Sequence, residues 1–145
     1  MLIINNFHIL MSFFKYLCIF LIILVTIFLI DLIWLRVMTP TVYEPLIGHL
    51  FDENVNYLAI VFFYIMYSIG ILLLIFYPDI SVESFLRLIF KSFMLGIVAY
   101  GTYELTNMAT LKDWSWKIVI IDMIWGGFLT CFVSVITNFI SQKVF

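Results

Sequence analysis

The sequence predicts an all-α fold: a polytopic membrane protein whose single domain, residues 1–145, is a four-helix transmembrane bundle. Three observations lead there. Of 145 residues, 66% are hydrophobic and only 11% charged, against roughly half and a quarter in soluble domains. Four stretches reach the roughly 20 consecutive apolar residues that cross a hydrocarbon core as a helix. These stretches are continuously apolar, without the alternation that barrel strands need.

The first span is placed at Phe13 to Val37. It is longer than the apolar region of a signal peptide and no small-residue cleavage site follows, so it is expected to be retained as a helix. Thr39-Pro40, Glu44-Pro45 and Gly48 are expected to stop it, because proline lacks the helical N–H donor. The resulting loop of about eighteen residues is long for a helical bundle and should pack on something. Asn54 or Asn56 can cap the second span, Asn56 to Tyr77, which Pro78-Asp79 ends. Ser81 and Glu83 offer a cap and a dipole partner to the third span, Ser84 to Met108. A turn that short makes the second and third spans antiparallel neighbours. The connection Ala109 to Trp116 is also short, and the fourth span follows at Lys117 to Ile140. Lys15, Arg87, Lys91 and Lys143 flank the side holding both termini, and Arg36, Lys112 and Lys117 the other. That excess favours cytoplasmic termini. Cys18 and Cys131 fall within apolar helices and read as free thiols.

Ionisable residues inside these spans carry the functional signal. An Asp at mid-span costs roughly 2.5–3.5 kcal/mol on insertion scales, yet Asp31 lies in the first span, Glu104 with Asn107 in the third, and Asp122 in the fourth. Asp31 precedes Pro40 by nine residues, Glu104 precedes Lys112 by eight, and Asp122 follows Lys117 by five. At 1.5 Å per residue each sits about 8–14 Å inside one boundary, the one facing the first loop. Trp34, Trp114, Trp116 and Trp125 belong to the same side. Helical spacing puts Gly96, Tyr100, Tyr103 and Asn107 on one face of the third span, with Glu104 at its edge. Tyr57, Tyr64 and Ser68 form a stripe on the second span, and Gly126, Leu129 and Val133 follow Asp122 on the fourth. The three acids are therefore expected to point inward, into a common pocket, and to face tyrosines of the second span. Arg36 is the basic side chain within reach and can serve one or two carboxylates, while Lys112 and Lys117 snorkel to the headgroups. At least one acid is left without a cation, so a bound proton or cation is expected there. The bland alternative is a structural role, with carboxylates fixing helix register through Tyr and Asn.

Asp31-Leu32-Ile33-Trp34 recurs as Asp122-Met123-Ile124-Trp125, each unit placing an indole on the same face as a carboxylate. Four residues in so aromatic a chain are too few to infer duplication. The further runs are Ile47-Gly48-His49-Leu50, Phe63-Tyr64 with Tyr67 and Gly70, and above all Gly96 to Thr110, then Trp114 and Asp122 to Gly126. With Asp31 to Leu35, these segments resemble the bacterial family of small integral membrane proteins catalogued as domain of unknown function 2177. The resemblance covers about residues 17–140 and departs at Glu104, where the family pattern favours Asp. It implies a four-helix membrane protein and no particular activity.

The expected site residues are Asp31, Trp34, Arg36, Tyr64, Tyr100, Tyr103, Glu104, Asn107, Asp122 and Trp125. On this reading they bind or pass a proton, cation or small cationic ligand. A complete translocation path calls for more than four helices, so a homo-oligomer or a larger membrane complex within the lipid bilayer is the expected partner. A structural or assembly subunit is the second reading. The third is an intramembrane enzyme acting on lipid or quinone, with Asp31, Glu104, Asp122 and His49 as a metal set. Imidazole-poor sites rarely hold catalytic zinc or iron, so no metal or other cofactor is expected. His49 reads more simply as part of a solvated loop, and His8 as an interfacial residue. The chain has no nucleophile elbow, zinc-protease motif or phosphate loop, and no basic patch for nucleic acid.

Overall fold

The computed structural model describes residues 2–78 and 84–145, with side chains from residue 10 onward. Four of its helices are long and apolar enough to cross a membrane, and among the described residues there is no strand. Helix α1 (Leu2–Met38) continues through a π-helical turn, Thr39–Tyr43, into the short α2 (Glu44–Ile47) and a 3-10 turn, Gly48–Leu50. Helix α3 (Tyr57–Ile71) widens into a second π turn at Leu72–Phe76. Helices α4 (Phe85–Thr110) and α5 (Trp116–Val144) complete the bundle.

The helical path therefore does not stop at Pro40 as the sequence suggests. Both Pro40 and Pro45 fall in the first turn of a new helical segment, where a missing N–H costs least. The wide turn closes with the Glu44 N–H donating to the Thr39 carbonyl five residues back, and the Thr41 hydroxyl donates to the Val37 carbonyl at 2.6 Å. Bulges of this kind recur at functional sites. Here the turn carries Tyr43 and Ile47 down onto Ile118 of α5, a small core that Met38, Val42, Leu46 and Trp114 flank. The long first connection packs as expected, but as helix.

At the next boundary Asn56 is the cap, accepting from the Ala59 N–H at 3.1 Å. Ser84 takes the N-cap position of α4 without a side-chain cap bond. The caps expected from Ser81 and Glu83, and the side chain of His8, lie outside the described residues. Both cysteines are free thiols, half-buried in their helices.

Helix α5 is the hub. It packs most extensively on α4 and next on α1, whereas α3 packs on α1. The expectation that the second and third spans are neighbours is met only weakly, because α3 and α4 meet chiefly at Leu72–Phe76. Side-chain size explains the difference. An added Cβ on Gly96 would fall on the Gly126 carbonyl and lie 2.6 Å from the Thr130 hydroxyl, and one on Gly127 would come within 2.8 Å of the Phe93 ring. Glycine thus lets α4 and α5 touch, while Tyr64, Tyr67 and Tyr100 fill the space on the α3 side and hold its backbone away. Ile19, Ile23, Ile27, Ile71, Phe76, Leu88, Leu129 and Val133 form the main core. Phe13, Phe62, Leu86, Phe90, Phe128 and Phe132 point outward, the arrangement that suits acyl chains as solvent.

Candidate intramembrane carboxylate site

Asp31 is buried between α1, α3 and α5. Its Oδ2 accepts from the Tyr64 hydroxyl at 2.8 Å and its Oδ1 from the Trp125 indole N–H at 3.0 Å. Beside it the Trp34 indole N–H donates to the Tyr43 hydroxyl at 2.9 Å, which in turn donates to Asp122 Oδ1 at 2.6 Å. The two indoles stack with centroids 4.0 Å apart and planes 6° from parallel. Thus the paired Asp-x-x-Trp units cross over. The indole of the fourth-span unit serves the acid of the first, and the indole of the first serves the acid of the fourth through Tyr43. Spacing within a unit had pointed to a carboxylate and indole acting together, but the close approach of α1 and α5 makes the partner helix nearer to each N–H.

Glu104 is the most buried of the acids, at 1% exposure. Its Oε2 accepts from the Trp114 N–H at 2.9 Å, and its carboxyl group lies within hydrogen-bonding reach of Asp122. The acids accordingly occupy two linked halves, Asp31 in one and the Glu104–Asp122 pair in the other, with the stacked indoles joining them. Below Asp31, the Tyr67 hydroxyl meets Thr130 Oγ1 at 2.6 Å. Because Thr130 gives its own proton to the Gly126 carbonyl at 2.7 Å, Tyr67 is the donor. Tyr100 stands edge-on to Tyr67, centroids 6.2 Å apart, within electrostatic range of Asp31 and Tyr64.

A family described as "Predicted membrane protein (DUF2177)" matches residues 16–139 of the chain, every helix of the bundle included. The chain belongs to this family. No curated protein and no solved structure matches it. The DUF2177 chain is therefore a multi-pass membrane protein of a family without an assigned activity, and its chemistry has to be argued from its own residues.

In this DUF2177 bundle, Asp31, Trp34, Tyr64, Asp122, Trp125 and Glu104 are brought together, and Tyr100 borders them. Three expected residues are placed differently. Arg36 is exposed and takes part in none of the carboxylate hydrogen bonds above, because its position five residues beyond Asp31 places it about 140° round the helix, facing outward. Tyr103 is 59% exposed, while the buried line on α4 runs through Leu88, Ser92, Gly96, Gly101 and Glu104. That line advances in steps of three to five along the face packed on α5, so Glu104 belongs to the buried face and not to its edge. Asn107 is half-buried and its Nδ2 lacks a partner. Of the second-span stripe, Tyr57 is exposed while Tyr64 and Ser68 are buried. Only Asp31 faces a tyrosine of that span. His49 is exposed, and among the described residues no group of three His, Cys, Asp or Glu is arranged to hold a metal.

Tyr43 and Trp114 are the two site residues that sequence reasoning did not assign. Tyr43 lies between the two prolines read as a stop, Pro40 and Pro45, and Trp114 in a short connection. Their signal was nonetheless present: an aromatic with a polar tip in an unusually long connection, and a tryptophan ten residues from an acid in the same leaflet.

Proposed function

We propose that the carboxylate cluster is an intramembrane binding site for a proton or small cation, used in ion or proton handling across the bilayer. The observation that carries this reading is the donor set. Every donor found on the three acids is neutral, an indole N–H or a tyrosine hydroxyl, and Glu104 and Asp122 approach each other directly. Two carboxyl groups in hydrogen-bonding reach need a proton between them, since an ionised carboxylate only accepts. Neutral donors orient charge without cancelling it, and uncompensated charge at this depth is costly.

The bilayer position follows the same reasoning. Termini on the cytoplasmic side put the cluster in the outer leaflet, reached from the side of the first connection. Infrared difference spectroscopy across a pH series tests the binding claim. A carboxylic C=O band that disappears with rising pH and is lost in Glu104→Gln or Asp122→Asn is expected. Acids ionised over the whole neutral range, with no response to monovalent or divalent cations, would refute it. Transport is tested separately, by proteoliposome flux that Asp31→Asn together with Asp122→Asn should abolish.

A structural role has one observation in its favour. Both oxygens of Asp31 already have a donor, which is what fixing helix register requires. The double substitution separates the two readings, since a register role predicts loss of stability and a binding role predicts loss of titration with the fold kept.

A further inference from the structure

The same helix that carries Asp122 and Trp125 continues toward the terminal side with a second set of polar residues. Thr130, Ser134, Thr137, Asn138 and Ser141 are all buried, and their spacing of three and four keeps them on one face. Counted at 1.5 Å per residue, Asp122 to Ser141 spans about 28 Å, close to the whole hydrocarbon thickness. Lipid-facing hydroxyls would be tolerable, but these face the interior, where Ser68 of α3 and Ser92 of α4 join them at 0% exposure.

Serine and threonine in helices ordinarily return their proton to the carbonyl one turn back. Several in this bundle do so: Ser92 to Leu88, Thr130 to Gly126, and Thr102, Thr106 and Thr110 along the outer face of α4. Three fully buried ones do not. The hydroxyls of Ser68, Ser134 and Thr137 are fully buried and have no partner. A buried hydroxyl without a partner is exceptional and points to water or a ligand that completes it. Above them the Tyr67–Thr130 bond leads to the tyrosines around Asp31. Below them a groove of about 460 Å³, walled mainly by Phe85, Val135, Ile136 and Phe139, opens beside Asn138 and Gln142.

We infer that Tyr67, Thr130, Ser68, Ser134 and Thr137, with water between their hydroxyls, form a proton path along α5 that joins the carboxylate cluster to the terminal-side surface. The inference rests on the reading of the cluster as a binding site and names its ligand as the proton. Each hydroxyl or water passes its proton to the next and receives one from behind, so one proton enters, one leaves and no group changes its net charge. A dehydrated metal cation has no equivalent route, since the file offers single hydroxyls and no cage of oxygen ligands. The charged groups facing the path are Asp31 from α1 and Glu104 and Asp122 from α4 and α5 at its inner end, with Tyr64, Tyr67 and Tyr100 between; Lys15 and Lys143 stand at the terminal end, each against an aromatic ring.

The test uses the full-length protein in pyranine-loaded liposomes, with proton uptake driven by a potassium diffusion potential and the carboxylic infrared band followed in the same preparation. Wild type should conduct above protein-free liposomes. Ser134→Ala with Thr137→Val should lower the rate by about tenfold, an added barrier of roughly 1.4 kcal/mol, while leaving the carboxyl titration in place. Ser134→Ala with Thr137→Ser, which keeps one hydroxyl, should recover part of it, and that recovery excludes misfolding as the cause of the loss. An unchanged rate in the Ala/Val variant, or no conduction by wild type, overturns the path while a persisting carboxyl titration leaves the site standing. Absence of a titrating band in wild type overturns the site, and the path with it.

Discussion

Tyr43 connects the two halves of the network, because its hydroxyl accepts from Trp34 and donates to Asp122. Tyr43→Phe therefore leaves an indole N–H without an acceptor and takes from Asp122 its hydroxyl donor, with Glu104 as the remaining partner. Tyr64→Phe removes a single bond to Asp31, which keeps Trp125. Side-chain hydrogen bonds inside membrane proteins average about 0.6 kcal/mol and reach about 1.7. Tyr43→Phe is expected near the upper figure and Tyr64→Phe near the lower, as read by detergent unfolding followed through tryptophan fluorescence. The reverse order would mean that Glu104 holds Asp122 in place without Tyr43. At this scale the acids and the tryptophans were legible, since a charge or an indole in an apolar span stands out, but the crossing of the two units was not. Tyr43 was not, because proline chemistry read alone ends the helix one residue before the turn that carries it inward.

Between elements, glycine decides which helices touch. Gly96 lies against the backbone of Gly126 and the Thr130 hydroxyl, with no flexible side chain to yield, and nothing lies within 4 Å of a Cβ placed on Gly70. Gly96→Ala should separate α4 from α5 at a cost of about 3 kcal/mol, at the upper end for overpacking, and should loosen Glu104 from Asp122. Gly70→Ala should be neutral or up to about 1 kcal/mol stabilising through helix propensity. Thermal unfolding in detergent, compared for the two variants, checks the pair; equal effects would contradict the contact. The sequence marked Gly96 and Gly126 as small inward residues, yet it also paired the second and third spans by loop length. Loop length limits how far two helices can part, but side-chain volume sets whether they touch, and the tyrosines on α3 and α4 keep them apart.

For the whole molecule, four spans return the chain to the side where it began. In a background with Cys18 and Cys131 replaced by alanine, a cysteine at Lys143 and one at Lys112 should react with a membrane-impermeant maleimide from opposite sides of the membrane. Both are exposed positions, so labelling of both from one side would remove the four-span topology. With cytoplasmic termini, the Lys112 position reacts from outside in intact cells. The network then lies in the outer leaflet, and the hydroxyl file of α5 provides the remaining distance to the cytoplasm.

Composition and periodicity were enough to establish the helical class and the number of spans, because hydrophobic length and axial rise are local quantities that one segment sets for itself. The tertiary structure decided which donor each acid receives, that Arg36 faces outward, that the prolines continue into a helical turn, and that the acids divide into two joined halves. Those outcomes depend on the distance between helices far apart in sequence, and that distance is set by the sum of many side-chain volumes across the interface.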